Sequence, residues 1–235
     1  MKALCSTVAI CAVSLLSWPA NAQTIADEEC REFEILVKDR PVGNSVVRIT
    51  ELDDGTTRVA THVSVKVNYL VYTYRYEFTG QETWRGNRLV STDNHATDDG
   101  KKFDARAVIG ARGFQIEANG RSRGVPSIHM TTNYWRMPDV SPEQTLTLMN
   151  ADRGTIHRAS VERLADEPFR CGSETINCSR YRLAGDVQAD LWSDRRGRIV
   201  RQKSVEDGYP TELRLTRLSR EAPQTAQGRP AQPLR

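Results

Sequence analysis

The residues best suited to acid–base or metal chemistry surround His95, in the segment STDNHATDDG of residues 91–100. Asp93, Asp98 and Asp99 accompany the imidazole, a combination that could supply a general base or hold a metal ion. The segment lacks the D-x-D-x-D-G register of a calcium loop. The chain contains no G-x-S-x-G, H-E-x-x-H or P-loop motif. We therefore interpret the segment as a polar hairpin loop and predict no catalytic residue, metal ligand or cofactor.

Cysteine chemistry is the second possibility, since five cysteines occur in the chain. Cys5 and Cys11 lie within the first 22 residues, and Cys30, Cys171 and Cys178 lie beyond them. The last two flank the short polar segment GSETIN, and we predict a disulfide between them if the compartment is oxidising. A metal pair or a redox pair is the alternative, although no histidine is near and the spacing is not C-x-x-C. An odd cysteine remains, so Cys30 is predicted to be an unpaired thiol.

The N-terminal residues predict that the compartment is indeed oxidising. Lys2 precedes an apolar stretch over residues 3–16, and the small-residue triplet ANA ends at Ala22. This is the pattern of a secretory signal peptide, with cleavage after Ala22 and a mature chain that begins at Gln23. The apolar stretch is shorter than the roughly 20 residues that span a membrane. We predict a periplasmic or secreted protein.

The charge balance excludes one large class of partner. Without Lys2, the chain carries 32 basic and 30 acidic residues, a net charge of +2. Such a balance gives no argument for binding to nucleic acid. No second long apolar segment follows the first, so we predict no transmembrane segment in the mature chain.

Period-two hydrophobicity is the dominant structural signal. Four valines and Thr61 occupy the odd positions from Val59 to Val67, with mostly polar residues between them. This alternation is typical of a half-buried strand. From Leu70 the even positions become apolar or aromatic, up to Phe78. Because one regular strand cannot change faces, we predict a bulge or a break between Asn68 and Val71.

Turn signals separate these strands and set the predicted fold class. Asp-Gly pairs at residues 54–55, 99–100 and 207–208 are typical of hairpins. The one helix candidate begins at Ser141 and Pro142, although Leu146 to Met149 could equally form a strand. We predict an all-β protein, an antiparallel meander curled into an open or half barrel, with at most one or two short helices.

The domain organisation follows from the ends of this pattern. Residues 1–22 form the signal peptide, and residues 23–31 are predicted to be a flexible N-terminus. Residues 32–218 form a single β domain without a shift in composition that would divide it. Residues 219–235 are poor in apolar residues and rich in Pro, Gln and Ala, so we predict a disordered tail.

A curled sheet must cover its apolar face, and the residues on that face are the candidate ligand-lining set. The sheet either fills its interior with side chains or leaves an apolar cavity for a ligand. The residues expected to line either interior are Val63, Val65, Val67, Tyr72, Tyr74, Tyr76, Phe78, Trp84 and Leu89.

The order of these motifs resembles a family of exported bacterial proteins that is known only as a domain of unknown function. The resemblance rests on the VxVxV and YxYxYxF strands, ExWxxxRLV, the Asp-rich segment and the late DLWxDxxGRIV hairpin, and it extends from about Glu32 to Leu218. More distantly, the pattern is similar to the curled half-barrels of periplasmic lipoprotein carriers such as LolA. Their concave face holds acyl chains, so this resemblance implies a hydrophobic ligand, whereas the shortage of predicted helices departs from the carriers.

Two functions are consistent with this sequence. The first is a non-enzymatic binder or carrier of a hydrophobic ligand, such as a lipid or acyl chain, held by apolar burial inside the curl. The second is a structural or envelope-interaction β module with a packed interior, which would contact a protein partner through its sheet edges or tail.

Overall fold

The computed structural model of the chain describes residues 24–68, 70–139, 144–206 and 208–221. Within these ranges all regular structure is β, and no helix occurs. The strands are β1 (Ile25–Val37), β2 (Arg40–Leu52), β3 (Thr56–Asn68), β4 (Thr73–Arg85), β5 (Arg88–Asp98), β6 (Lys101–Gly110), β7 (Gly113–Ala118), β8 (Arg121–Val125), β9 (Met130–Thr131), β10 (Thr145–Met149), β11 (Ile156–Arg163), β12 (Glu167–Cys171), β13 (Glu174–Gly185), β14 (Ala189–Ser193), β15 (Ile199–Glu206) and β16 (Tyr209–Glu221).

The strands form one sheet whose order follows the chain almost throughout. From one edge to the other the order is β8-β7-β6-β5-β4-β3-β2-β1-β16-β15-β14-β13-β11-β10-β9, with β12 paired to β13 beside this path. Neighbouring strands are antiparallel except for β9 and β10, which are parallel. β8 and β9 are the two edges, so the sheet does not close into a barrel. The all-β meander with an open curl is therefore confirmed.

Local turn chemistry accounts for the hairpins. Asp99 and Gly100 both have positive φ, 50° and 85°, as a two-residue turn between twisted antiparallel strands requires. The change of phase after Val67 is also explained, because β3 ends at Asn68 and β4 begins at Thr73. The predicted irregularity is thus the tip of a hairpin. Its register places Val65 opposite Tyr76, so the two apolar stripes share one face.

Three sequence expectations differ from the structure. Residues 91–98 belong to β5, so the interpretation of the His95 segment as a loop is wrong, and the turn is confined to residues 99–100. β1 begins at Ile25 and pairs with both β2 and β16, which makes most of the predicted flexible N-terminus a strand. Leu146 to Met149 form part of β10, the alternative to the helix.

Other predictions fall on residues that the structure does not describe. These are the signal peptide over residues 1–22, the proposed start of the helix at residues 141–142 and the tail from residue 222 onward. Residues 219–221 of the predicted tail belong to β16.

The predicted disulfide between Cys171 and Cys178 is wrong in this structure, where both cysteines and Cys30 are free thiols. The hairpin of β12 and β13 turns tightly and places Cys171 opposite Glu174, whereas Cys178 lies opposite Glu167. Four residues of strand separate the two cysteines along the ladder, roughly 13 Å. A disulfide needs its Cα atoms within about 7 Å, so the register itself keeps them apart.

Both halves of the sheet contribute to one hydrophobic core. The main cluster of buried side chains includes Val47, Val59, Trp84, Leu89 and Ile116 from β2–β7 and Met130, Leu146, Leu183, Leu191 and Leu215 from β9–β16. Because residues so far apart in the strand order pack together, the sheet curls until its apolar face meets itself.

Two segments fill the inside of this curl. Residues 126–139, which we name the crossing segment, bury Ile128, Met130 and Trp135 in the main cluster. Its backbone is hydrogen bonded to Thr147 of β10 and to Gly197 of the β14–β15 turn. The β10–β11 turn places Ala151 against Phe78 in a smaller cluster. The interior is therefore packed with protein side chains.

The β10–β11 turn has a glycine that both its backbone and its packing require. Gly154 has φ of 66°, and a Cβ added to it would lie 2.6 Å from the Cβ of Ala118 in β7. Gly55 has φ of 76° in the β2–β3 turn, where an added Cβ would meet nothing within 4 Å. The two positions thus share the backbone requirement and differ in packing.

We expect Gly154→Ala to lower the free energy of unfolding by about 1–3 kcal/mol more than Gly55→Ala, because only the former adds an overpacking cost to the backbone strain. Urea unfolding of the two variants and the wild type measures the difference. Equal losses would contradict the close approach of this turn to β7.

Candidate functional site

The nine predicted lining residues do not meet in one pocket. Trp84 and Leu89 are buried in the main core, and Phe78 lies in the smaller cluster with Val63 and Tyr76 packed against it. The remaining four follow the hairpin outward: Val65, Val67 and Tyr74 are half-buried, and Tyr72 is exposed. The structure thus divides this set among two packed clusters and a projecting hairpin.

His95 lies on the exposed face of β5. Its Nδ1 is 2.5 Å from Asp104 Oδ1, and its Nε2 is 3.5 Å from Asp93 Oδ1. Asp93 also accepts a hydrogen bond from Arg106 Nε at 2.8 Å. This arrangement is a cross-strand charge ladder on β5 and β6, with every member of it solvent-exposed by about half. In the described part of the chain, no group of three or more His, Cys, Asp or Glu side chains could hold a metal ion.

The cysteines show no sign of redox activation. Burial, followed by the charge of Asp194, raises the pKa of the Cys178 thiol to about 11. Burial and Glu174 also raise the pKa of Cys171. Reactive cysteines have a lowered pKa, since the thiolate is the nucleophile, so neither thiol has the environment that a redox pair needs.

The best-formed candidate site is a polar cleft of about 290 Å³ that we name the arginine cleft. It lies where the start of β1, the end of β2 and the end of β16 meet the crossing segment and the β14–β15 turn. Its walls are Asp27, Glu29, Arg31, Ile49, Glu51, Trp135, Arg136, Arg196, Arg198 and Arg220.

Glu29 organises the floor of the cleft. Its carboxylate is 2.6 Å from Arg31 Nε, 2.9 Å from Arg198 Nη1 and 3.1 Å from Arg220 Nη2. Burial opposes ionisation of this carboxyl group, but Arg31 and Arg198 outweigh that effect, so the pKa of Glu29 is lowered. One buried carboxylate thus holds three guanidinium groups from β1, the β14–β15 turn and β16 in place.

The β14–β15 turn and the crossing segment are fixed to this floor. Asp194 accepts hydrogen bonds from the backbone N–H groups of Arg196 and Arg198, and its other oxygen pairs with the Arg198 guanidinium. Arg31 is buried and donates a hydrogen bond to the carbonyl oxygen of Trp135. The DRRGR turn is therefore folded around Asp194 so that Arg198 points inward.

The cleft carries excess positive charge. Five arginines face three carboxylates in its walls, a formal excess of +2 that the Asp194 carboxylate paired with Arg198 lowers to +1. Among the described residues, neither the Arg136 nor the Arg196 guanidinium has a carboxylate within ion-pair distance. Arg196 is exposed at the rim, where an incoming ligand would meet it first.

A tryptophan pair supports one wall. The Trp84 and Trp135 rings meet edge to face, with centroids 5.7 Å apart. The Arg136 guanidinium lies 4.4 Å from the Trp135 centroid and 5.1 Å from that of Trp84, and it donates a hydrogen bond to the Gly86 carbonyl at 2.6 Å. Burial lowers the pKa of Arg136. The guanidinium is thus held in one orientation by aromatic faces rather than by a counter-charge.

Behind these rings lies a buried carboxyl group that sequence analysis missed. Glu82 accepts hydrogen bonds from Thr131 Oγ1 at 2.5 Å, Trp84 Nε1 at 2.8 Å and Asn133 Nδ2 at 3.5 Å. Burial raises its pKa more strongly than these hydrogen bonds lower it. A signal for it existed, since Glu82 shares the even-numbered phase that places Phe78 and Trp84 inside.

The sequence comparisons place the chain in a family. A domain of unknown function, DUF6134, matches residues 33–216, and the chain belongs to that family. This range nearly coincides with the β domain expected from the sequence. No curated protein matches the chain.

Among solved structures, the fold is similar to the crystal structure of a β-barrel-like protein of the domain of unknown function DUF1849 from Brucella abortus. The TM-score is 0.61 at 7% sequence identity, and the match covers 84% of this chain and 99% of that chain. At this identity the likeness concerns the fold alone. In the described residues, no helix is long and apolar enough to cross a membrane.

The buried carboxyl groups predict opposite dependences of stability on pH. Glu82 has a raised pKa, so the folded protein binds more protons than the unfolded chain above pH 4.5, and stability is lost as pH rises toward the folded pKa. We expect the free energy of unfolding of Glu82→Gln to rise relative to that of wild type as the pH increases above about 4.5, because the neutral amide has no ionisation for burial to oppose.

Glu212→Gln is the matched control, because the pKa of Glu212 is shifted in the opposite direction to that of Glu82. Burial opposes the ionisation of Glu212, but Arg214 and Arg201 lower its pKa overall, so its contribution is present above pH 4.5 and is lost as pH falls. This variant should therefore lose most at neutral pH and least at about pH 3. Urea unfolding across the pH range measures both; a pH-independent difference between Glu82→Gln and wild type would contradict the burial of that carboxyl group.

Proposed function

We propose that the protein is a non-enzymatic binding protein that holds a small anionic ligand in the arginine cleft. The observation that carries this proposal is the excess of arginines over carboxylates in a preformed cleft of about 290 Å³. Clusters of buried charged groups that line a cleft are more frequent at functional sites than elsewhere. The cleft is also assembled from residues of β1, β2, β16, the crossing segment and the β14–β15 turn, which fixes its geometry.

The chemistry of the walls defines the ligand class. Arginine presents a planar fork of donors that matches carboxylate and phosphate oxygens, so a ligand with one or two such groups fits best. The volume lies at the lower end of the range for small-molecule sites, which favours a compact ligand. Trp135 and Ile49 give the cleft a limited apolar wall, so the ligand can carry a short apolar part.

The proposal keeps the binding role that the sequence predicts and changes the ligand. A lipid or acyl chain inside the curl would have to displace Trp84, Leu89 and the crossing segment, which are buried in the main core. The hydrophobic-carrier hypothesis therefore requires a large rearrangement of the interior. An anion in the arginine cleft requires none, because the cleft is open while the interior is packed.

A packed envelope-interaction module without a small ligand is the second candidate. The filled interior favours it, since all main-core side chains are already in contact with other side chains of the chain. In this case the charges around Glu29 would serve only to join β1, β16 and the β14–β15 turn. We propose that either role is carried out in the periplasm, after removal of the signal peptide.

Binding of inorganic phosphate and of citrate tests the first proposal. We expect either anion to raise the melting temperature of the wild-type protein in a saturable manner, because a ligand that binds only the folded state stabilises it. Arg196→Gln should weaken binding by roughly tenfold, as expected when one charged hydrogen-bonding partner is lost. Isothermal titration calorimetry measures the affinities.

Arg195→Gln is the control for this experiment. Arg195 is exposed in the same turn and carries the same charge, but it does not line the cleft. It should leave the affinity close to that of wild type. No saturable shift with either anion, or equal losses in the two variants, would reject the cleft as an anion site. Native mass spectrometry of the protein purified from periplasm would then show whether an apolar molecule accompanies it instead.

A further inference from the structure

The hairpin of β3 and β4 continues past the last ladder pairs that it makes with β2 and β5. β2 pairs with β3 only as far as Val65, and β5 pairs with β4 only from Tyr76 onward. Past these positions the ladder pairs of the two strands are with each other, from Lys66 opposite Arg75 to Asn68 opposite Thr73. One backbone hydrogen bond, from Asp99 N–H to the Arg75 carbonyl oxygen, still joins this part to the β5–β6 turn. We name residues 66–68 and 70–75 the finger. Its tip lies about five residues past these last pairs, roughly 15 Å along the strands at about 3.3 Å per residue, while β2 itself continues to Arg40.

The tip of the finger is apolar and exposed. Leu70 has a relative exposure of 105%, Val71 of 98% and Tyr72 of 45%. Other hairpins of this chain have Asp-Gly at the corresponding position, as at residues 54–55 and 99–100. Two adjacent aliphatic side chains in water serve neither the turn nor the core, so this tip departs from the chain's own turn chemistry.

Two basic residues lie at the base of the finger. Asp98 and Asp99 of the neighbouring hairpin are beside it, since Tyr74 Oη donates a hydrogen bond to Asp98 and Asp99 N–H donates one to the Arg75 carbonyl oxygen. Lys66 and Arg75 are both exposed and lie directly opposite each other. Residues 66–75 contain no acidic residue. Like charges opposite each other destabilise a strand pair, and an anionic surface would relieve that repulsion.

We propose that the finger inserts its tip into the interface of an anionic lipid membrane. The order of residues along the finger matches the layers of a membrane. The aliphatic tip would reach the acyl region, Tyr72 would lie at the interface, and the basic residues at the base would meet the anionic headgroups. Tyr74 lies half-buried farther down the same face, so only the end of the finger enters the lipid. A second copy of the chain fits less well, because stable protein interfaces bury about 1,200–2,000 Å² and this tip is far smaller.

The finger and the arginine cleft are at opposite ends of the sheet. Glu29 lies near the start of β1, whereas β1 ends at Val37, beside the turns on the side of the finger. A protein docked through the finger would keep its arginine cleft open to solvent. The membrane proposal therefore does not rest on anion binding, and each can fail without the other.

Vesicle co-sedimentation of the mature protein tests the proposal. We expect binding to vesicles of phosphatidylcholine mixed with phosphatidylglycerol, and weaker binding to phosphatidylcholine alone. The double variant Leu70→Ser and Val71→Ser should lose roughly tenfold or more in partitioning, because the inserted apolar area is removed. Lys66→Gln with Arg75→Gln should abolish most of the preference for the anionic vesicles.

Two further variants make the outcome decisive. Val108→Ser removes an apolar side chain that is 56% exposed on β6, away from the finger, and it should bind vesicles like wild type. Leu70→Trp should retain binding and show a blue-shifted emission with vesicles, since Trp84, Trp135 and Trp192 are buried and give a constant background. Absence of wild-type binding, equal binding by the Leu70→Ser, Val71→Ser variant, or a tip-dependent dimer without vesicle binding would overturn the proposal.

Discussion

The structure depends on one constraint, which is that a long antiparallel sheet with a single apolar face cannot leave that face in water. No helix in the described residues is available to cover it. The sheet therefore curls until β2–β7 and β9–β16 share one core, and the crossing segment and the β10–β11 turn fill the space that remains. Burial of this face supplies the main driving force for folding, and the described apolar side chains inside the curl pack against one another.

Filling the curl with a segment of the chain brings polar groups into the interior. The crossing segment carries Thr131 and Asn133 to the inner face of β4, where they are hydrogen bonded to Glu82. Thr92 and Asn94 of β5 are buried on the same face. The hydrogen bonds from Thr131 and Asn133 to Glu82 satisfy buried polar groups, so they fix where the crossing segment lies. Trp135 and Arg136 come shortly after Asn133 in the chain, and they form one wall of the arginine cleft.

The two ends of the sheet have different chemistry. At one end, Glu29 forms ion pairs with arginines from β1, the β14–β15 turn and β16, and these ion pairs hold the arginines around the cleft. At the other end, the β3–β4 hairpin has an exposed apolar tip. In the roles proposed above, the finger would contact a membrane while the arginine cleft at the opposite end stays accessible to a dissolved anion. Membership of the DUF6134 family and the likeness to a β-barrel-like protein concern the scaffold between these ends.

The strands, several turns and the fold class could be predicted from the sequence, because residue alternation and turn dipeptides specify them locally. The alternation at Val59–Val67 and the Asp99-Gly100 pair need no distant partner to specify a strand and a turn. A polar segment can still be a buried strand when tertiary contacts satisfy its side chains, and the hydrophobic pattern then gives the wrong prediction. β5 looked like a loop because its inward residues, Thr92 and Asn94, are polar and are buried beside the similarly buried Glu82.

The assembly of the arginine cleft and the separation of Cys171 from Cys178 could be seen only in the tertiary structure. Glu29, Arg136, Arg198 and Arg220 are far apart in the chain, and only the closure of β1 onto β16 and the path of the crossing segment bring them together. Likewise, the two thiols of the β12–β13 hairpin are separated by its register rather than by their spacing in the sequence. Long-range pairing is set by burial of the whole apolar face, and no local sequence pattern encodes it.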